Sequence, residues 1–121
     1  MALLPQALIG KRLELSDALL RQFPELREAR FRRGGAPPRI GGWFLGAPSV
    51  AGIALGHTVW IALDAHLTPS LLLHELEHVR QWRTVRWFAW RYVWESLRRG
   101  YEANRFEVAA RLAVNSRIRR T

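Results

Sequence analysis

The chain has 121 residues, 49% of them hydrophobic and 11% aromatic, which gives one domain enough apolar material for a core and excludes disorder as the default. It has no cysteine, which excludes a disulfide framework and any thiolate metal site, so a metal has to be held by His, Asp or Glu. A formal net charge of +9, almost all arginine, favours anionic surfaces, but no arginine cluster carries a nucleic-acid motif and a nucleic-acid partner is not expected.

Met1 to Pro5 is apolar, but Lys11 and Arg12 lie on the wrong side of it for a secretory signal, so a cytoplasmic chain is expected. Ser16 to Phe23 reads as a short helix capped by Ser16 or Asp17 and ended before Pro24. Ala29 to Arg33 reads as a strand leading into the turn-rich Gly34 to Pro38. The uncharged run from Ile40 to Leu63 is long enough to span a bilayer. Gly41, Gly42, Gly46, Pro48, Gly52 and Gly56 interrupt it, however, so loop and strands are expected instead. Gly52 to Gly56 and Thr58 to Leu63 have strand composition, with Gly56-His57 as the turn or bulge between them.

The pattern changes at Thr68, a cap residue followed by Pro69 at the first helical position. Leu71, Leu72, His74, Glu75, His78, Val79 and Trp82 then recur at helical spacing. A Trp-rich helix is expected from about Val85 to Arg99, stopped by Gly100, and a last one from about Glu102 to Ile118. The fold class is therefore α+β over residues 1–121. A small sheet with an edge strand precedes the His-bearing helix, and two further helices follow. Residues 50–115 hold the site; residues 1–40 have no assigned role.

The chemistry sits in His74-Glu75-Leu76-Glu77-His78, an H-E-x-x-H. Residues four apart on a helix differ by about 40° in azimuth and about 6 Å in height, so two imidazoles there converge on one ion. Zinc brings the pKa of a bound water to about 7, and Glu75 lies beside His74 and His78 as the general base for peptide-bond hydrolysis. Leu71, Leu72, Leu73, Leu76 and Val79 make the helix apolar nearly all round, so these polar groups are buried and need a partner. The competing reading is a pair of surface histidines, with Glu75 and Glu77 bridged to Arg80 or Arg83.

Catalytic zinc takes a third protein ligand, and both remaining histidines, His57 and His66, precede the motif. Glu95 reads as a surface partner of Arg91 or Arg98. Glu102 and Glu107 are five residues apart, so only one can face the metal. Glu107 shares the side of Ala110 and Val114 and is favoured; Glu102, near the helix start, is the alternative.

The strand Thr58 to Ile61, the motif stretch Leu71 to Gln81 and Glu107-Val-Ala-Ala110 resemble the gluzincin metallopeptidases, particularly minimal single-domain members. The resemblance implies His74, His78 and Glu107 as zinc ligands and Glu75 as base. It also implies a peptide or protein substrate paired along an edge strand, either Gly52 to Gly56 or Thr58 to Leu63. Arg111 departs from the pattern, standing where larger members often carry an acid.

Tyr101, His57 and His66 are the candidate donors to an oxyanion. The stretch 82–99 mixes Trp87, Trp90 and Trp94 with arginines, which suits core packing, a homo-oligomer face or contact with a membrane surface. The alternative to an enzyme is a non-catalytic metal-binding or basic interaction module contacting protein, nucleic acid or membrane.

Overall fold

The computed structural model describes residues 6–44 and 50–121. The apolar start Met1 to Pro5, Gly46 and Pro48 lie outside the described residues. In chain order the elements are α1 (Gln6–Ile9), β1 (Lys11–Arg12), α2 (Asp17–Gln22), a 3-10 turn (Pro24–Glu28), β2 (Arg30–Arg33) and α3 (Ala36–Phe44). The hairpin β3 (Gly52–Leu55) and β4 (Thr58–Ile61) follows, and then α4 (Pro69–Thr84), α5 (Phe88–Arg99) and α6 (Arg105–Arg119). The fold is α+β, as expected.

Local chemistry sets the two clearest helix starts. The Ser16 hydroxyl accepts from the Leu19 amide, and the Thr68 hydroxyl accepts from the Leu71 amide at 3.1 Å, with Pro69 in the first turn. The sheet order is β1-β2-β4-β3; β2 and β4 run parallel and the outer pairs antiparallel. The strand nearest α4 in sequence, β4, is therefore internal, and β3 is the edge beside α4. Gly56, with φ +65°, opens the two-residue turn that joins them.

The N-terminal section acquires a role within the described residues: Phe23, Leu26 and Phe31 share one buried cluster with Val59, Ile61, Leu72, Leu76, Val79 and Val114. The N-terminal section thus shares one core with β4, α4 and α6. Arg80 reaches back to Glu28 at 2.7 Å, and Arg117 to Glu25 at 2.6 Å, clamping both long helices to the 3-10 turn.

Three expectations are corrected. Residues 36–44 form a helix, because Pro37 and Pro38 sit in a first turn that needs no amide donors. Gly41 lets that helix sit close to the hairpin, since a Cβ there would lie 3.3 Å from the Ile53 side chain. Secondly, α5 begins at Phe88, not Val85: Val85 is the extended C-cap of α4, and Trp87 adopts the left-handed conformation at φ 60°. Thirdly, α6 begins at Arg105, which leaves Glu102 in the preceding turn and puts Glu107 in the first helical turn. Among the described residues, no helix is long and apolar enough to cross a membrane.

Asn104 joins the last two helices. It is fully buried, and its Oδ1 accepts from the Phe106 amide at 2.8 Å, capping α6. Its Nδ2 donates to the Tyr92 carbonyl and to the Ser96 hydroxyl on α5. Glu95 adds a second tie: it is buried, accepts from the Arg105 amide and pairs with Arg99 and Arg105 rather than with Arg91 or Arg98. Asn104→Ala removes a cap and leaves buried groups unpaired, so a loss of about 2–4 kcal/mol is expected in urea unfolding. A loss below about 1 kcal/mol contradicts this role.

Candidate metal centre

Helix α4 is buried on most of its circumference, with Leu72, Leu73, Leu76 and Val79 in the core. Its remaining face carries His74, Glu75 and His78 toward α5, α6 and β3. Helix α6 packs along α4, with Ala110 fully buried, and its first turn delivers Glu107 to the two imidazoles.

Three side chains meet there. His74 Nε2 lies 2.8 Å from Glu107 Oε1, and His78 Nε2 lies 3.0 Å from Glu107 Oε2. The two Nε2 atoms are 3.2 Å apart, with the rings edge-on to one another. Four-coordinate zinc with nitrogen ligands at about 2.0–2.1 Å needs donor atoms about 3.3 Å apart, so the spacing fits with small adjustment. His74, His78 and Glu107 can hold a metal ion.

The supporting residues orient these donors. His78 Nδ1 lies 2.7 Å from Gln81 Oε1 and donates to it, which turns Nε2 toward Glu107. Gln81 is itself fixed by donating to the Phe106 carbonyl at 3.0 Å, so the amide links α4 to α6. The Tyr92 hydroxyl donates to Glu107 Oε2 at 2.5 Å and directs the carboxylate from the α5 side. Phe88 and Tyr92 pack their rings around His78.

Burial shapes the titration of this group. It opposes charge on His78, but the hydrogen bond to Glu107 and the charges of Glu75 and Glu107 outweigh it and raise the imidazole to about 9. Burial alone would raise Glu107; the hydrogen bonds from His74 and His78 reverse this and hold the carboxyl well below its usual range. Burial raises Glu75, against the lowering effect of the two histidines. Burial, followed by the charge of Glu107, also raises Tyr92 and Tyr101, so both hydroxyls stay protonated.

Glu75 is buried but makes no hydrogen bond among the described residues, and its carboxylate borders a cleft of about 360 Å³. The cleft runs between α3, the edge strand β3 and α5. Its walls are apolar, with Ile40, Ile53, Leu55, Trp82, Phe88 and Val93, while Glu75, His78, Glu107 and Tyr101 supply the polar end. Gly52 of the edge strand lies directly against Glu75: a Cβ there would come within 3.0 Å of Glu75 Cγ.

The structure sorts the remaining sequence candidates. Glu102 is exposed and pairs with Arg111, so neither reaches the cluster. Glu77 pairs with Arg80 at 3.1 Å, as a surface reading of the motif requires, but His78 and Glu75 are buried. His57 is exposed in the hairpin turn and His66 in the loop before α4, and neither lines the cleft; Tyr101 does. Gln81, Tyr92, Asn104 and Gly52 are the site residues that sequence reasoning missed. Asn104 alone carried a local signal, as a cap residue ahead of the Phe106 stripe. No family model, curated protein or solved structure matches the chain.

The raised value of His78 fixes the sign of the pH dependence. The folded value of about 9 exceeds the ordinary 6.5, so the charged pair with Glu107 stabilises the metal-free fold fully below 6.5. That contribution is lost as pH rises through 9. A metal takes the neutral ring, so binding near neutral pH displaces a proton. Metal affinity is expected to rise by about tenfold per pH unit up to 9 and then to level off, as read by titrations at several pH values. An affinity flat over that range contradicts the assignment.

Proposed function

We propose that this chain is a zinc-dependent peptidase of the gluzincin type, with His74, His78 and Glu107 as zinc ligands and Glu75 as general base. One observation carries the reading: a buried carboxylate stands beside a His/His/Glu cluster, is not one of its members, and faces a cleft bordered by a sheet edge. A purely structural metal site has no use for such a group. Zinc suits the donor set and supplies a Lewis acid that polarises a carbonyl and acidifies water.

The chain's own residues do the rest. Glu75, held in a poorly solvated position that raises its pKa, accepts a proton from the attacking water and returns it to the leaving amine. Tyr101, protonated and lining the cleft, is the donor to the developing oxyanion. The substrate backbone adds to β3. Ala51 pairs with β4 through the bond from the Ala62 amide, so by alternation Gly52 and Ala54 direct their backbone groups outward. Trp82 Nε1 already occupies the Ala54 carbonyl at 2.8 Å, which leaves Gly52 as the main pairing point, next to Glu75. The apolar walls then receive the side chains on either side of the scissile bond.

The purified chain is expected to carry about one zinc per molecule and to cleave a quenched-fluorescent peptide library. Glu75→Gln keeps the metal and slows cleavage by about 10²-fold or more. Glu107→Ala loses most of the metal, and Glu102→Ala changes neither. Zinc lost through Glu102→Ala but retained in Glu107→Ala, or full cleavage by Glu75→Gln, sinks the reading.

Gly52 gives a more local test. Gly52→Ala pushes a methyl group against the Glu75 side chain without touching a ligand. Zinc content is expected to hold while kcat/KM drops by about tenfold or more. Unchanged kinetics mean that Glu75 is not held by this contact.

A further inference from the structure

Helix α5 has two faces with different work. Phe88, Tyr92 and Glu95 point into the molecule, and Ala89 and Val93 border the cleft. The opposite face is open: Trp90 is 75% exposed, Leu97 72%, Trp94 60%, and Trp87 at the helix entry 67%. Positions 90, 94 and 97 are spaced by four and three, which sets them in one stripe along the helix, and Trp87 stands exposed at its entry. A water-facing helix gains nothing from a row of large apolar side chains. Trp87 is also kept in a left-handed backbone conformation, which a bulky side chain adopts only at a cost.

Charge decides what covers this face. Arg91 and Arg98 are exposed and lie within about 60° of Trp94 around the helix, and the Arg98 guanidinium sits 6.0 Å from the Trp94 ring centre. Arg86 is exposed just before Trp87. The only acid of α5, Glu95, is buried and already paired with Arg99 and Arg105. Two copies of the face brought together would set arginine against arginine with no α5 carboxylate between them. An anionic surface pairs every one of these cations and receives the tryptophans at headgroup level. With 12 residues, α5 is too short to cross a bilayer and lies along its surface.

We propose that the outer face of α5, formed by Trp90, Trp94 and Leu97 with Trp87 at the helix entry and flanked by Arg86, Arg91 and Arg98, docks on an anionic lipid surface. The proposal is independent of the peptidase reading. If both hold, the docked helix brings the cleft beside the membrane, since Val93 on the cleft wall neighbours Leu97 on the stripe.

Sedimentation of the full chain with vesicles of phosphatidylcholine and phosphatidylglycerol in equal parts, against phosphatidylcholine alone, tests it. Binding is expected to the anionic vesicles only, to weaken with salt, and to shift tryptophan emission to the blue. Trp90→Ser with Trp94→Ser, both at exposed positions, is expected to weaken binding by about tenfold or more. Arg91→Gln and Arg98→Gln are each expected to weaken it by about fivefold. The proposal fails if the chain ignores anionic vesicles, or if both the serine and the glutamine variants bind undiminished. It also fails if sedimentation equilibrium finds a dimer that the serine pair disperses while no vesicle binding occurs, for then a second copy covers the stripe.

Discussion

A carboxylate enclosed by protein and two imidazoles one helical turn apart hold one another in place. Removed from water, Glu107 would be costly to keep ionised, and His78 costly to protonate. Together, at 3.0 Å, each resolves the cost of the other, and with His74 at 2.8 Å from the carboxylate the group is suited to exchange its shared protons for a cation. Much of the C-terminal half follows from bringing the first turn of α6 to that face of α4. Ala110 permits the close approach, Asn104 caps the helix where it begins, and Gln81 and Tyr92 direct the ligand atoms from two other sides.

The cleft is built on the same economy of polar groups. Apolar walls meet a small polar apex, so charge inside is poorly screened and each polar contact counts for more than it would in water. The carboxylate of Glu75 stands at that apex only because Gly52 has no side chain to displace it. Trp82 joins the motif helix to the edge strand through the Ala54 carbonyl, so β3 and α4 keep a fixed relation. A sheet edge and a candidate base are thereby held in register by one indole and one missing methyl group.

Helix α5 shows how a small chain divides its hydrophobic residues. Phe88 and Tyr92 pack against His78, and Glu95 serves the start of α6, while three tryptophans and a leucine are left facing outward. A 3.6-residue period spreads the apolar residues of this segment too widely for one buried stripe, and the surplus marks a second surface.

The amino-acid sequence alone already shows the features that depend on neighbours in the chain. The caps at Ser16 and Thr68, the i, i+4 histidines and the burial of α4 follow from residues a few positions apart. Absence of cysteine restricted the donor set before any contact was known. Features that depend on distant contacts were legible only in part. Helix α3 was hidden because its prolines and glycines read locally as loop, yet the prolines fall in the first turn and Gly41 packs against the hairpin. Glu95 read as a surface residue until α6 supplied its partners. Between Glu102 and Glu107, three residues of helix boundary decided which one meets the histidines, and that boundary was set by Asn104 bonding to α5. Sequence spacing determines which side chains share a face of one helix; only packing between elements far apart in the chain decides what that face meets.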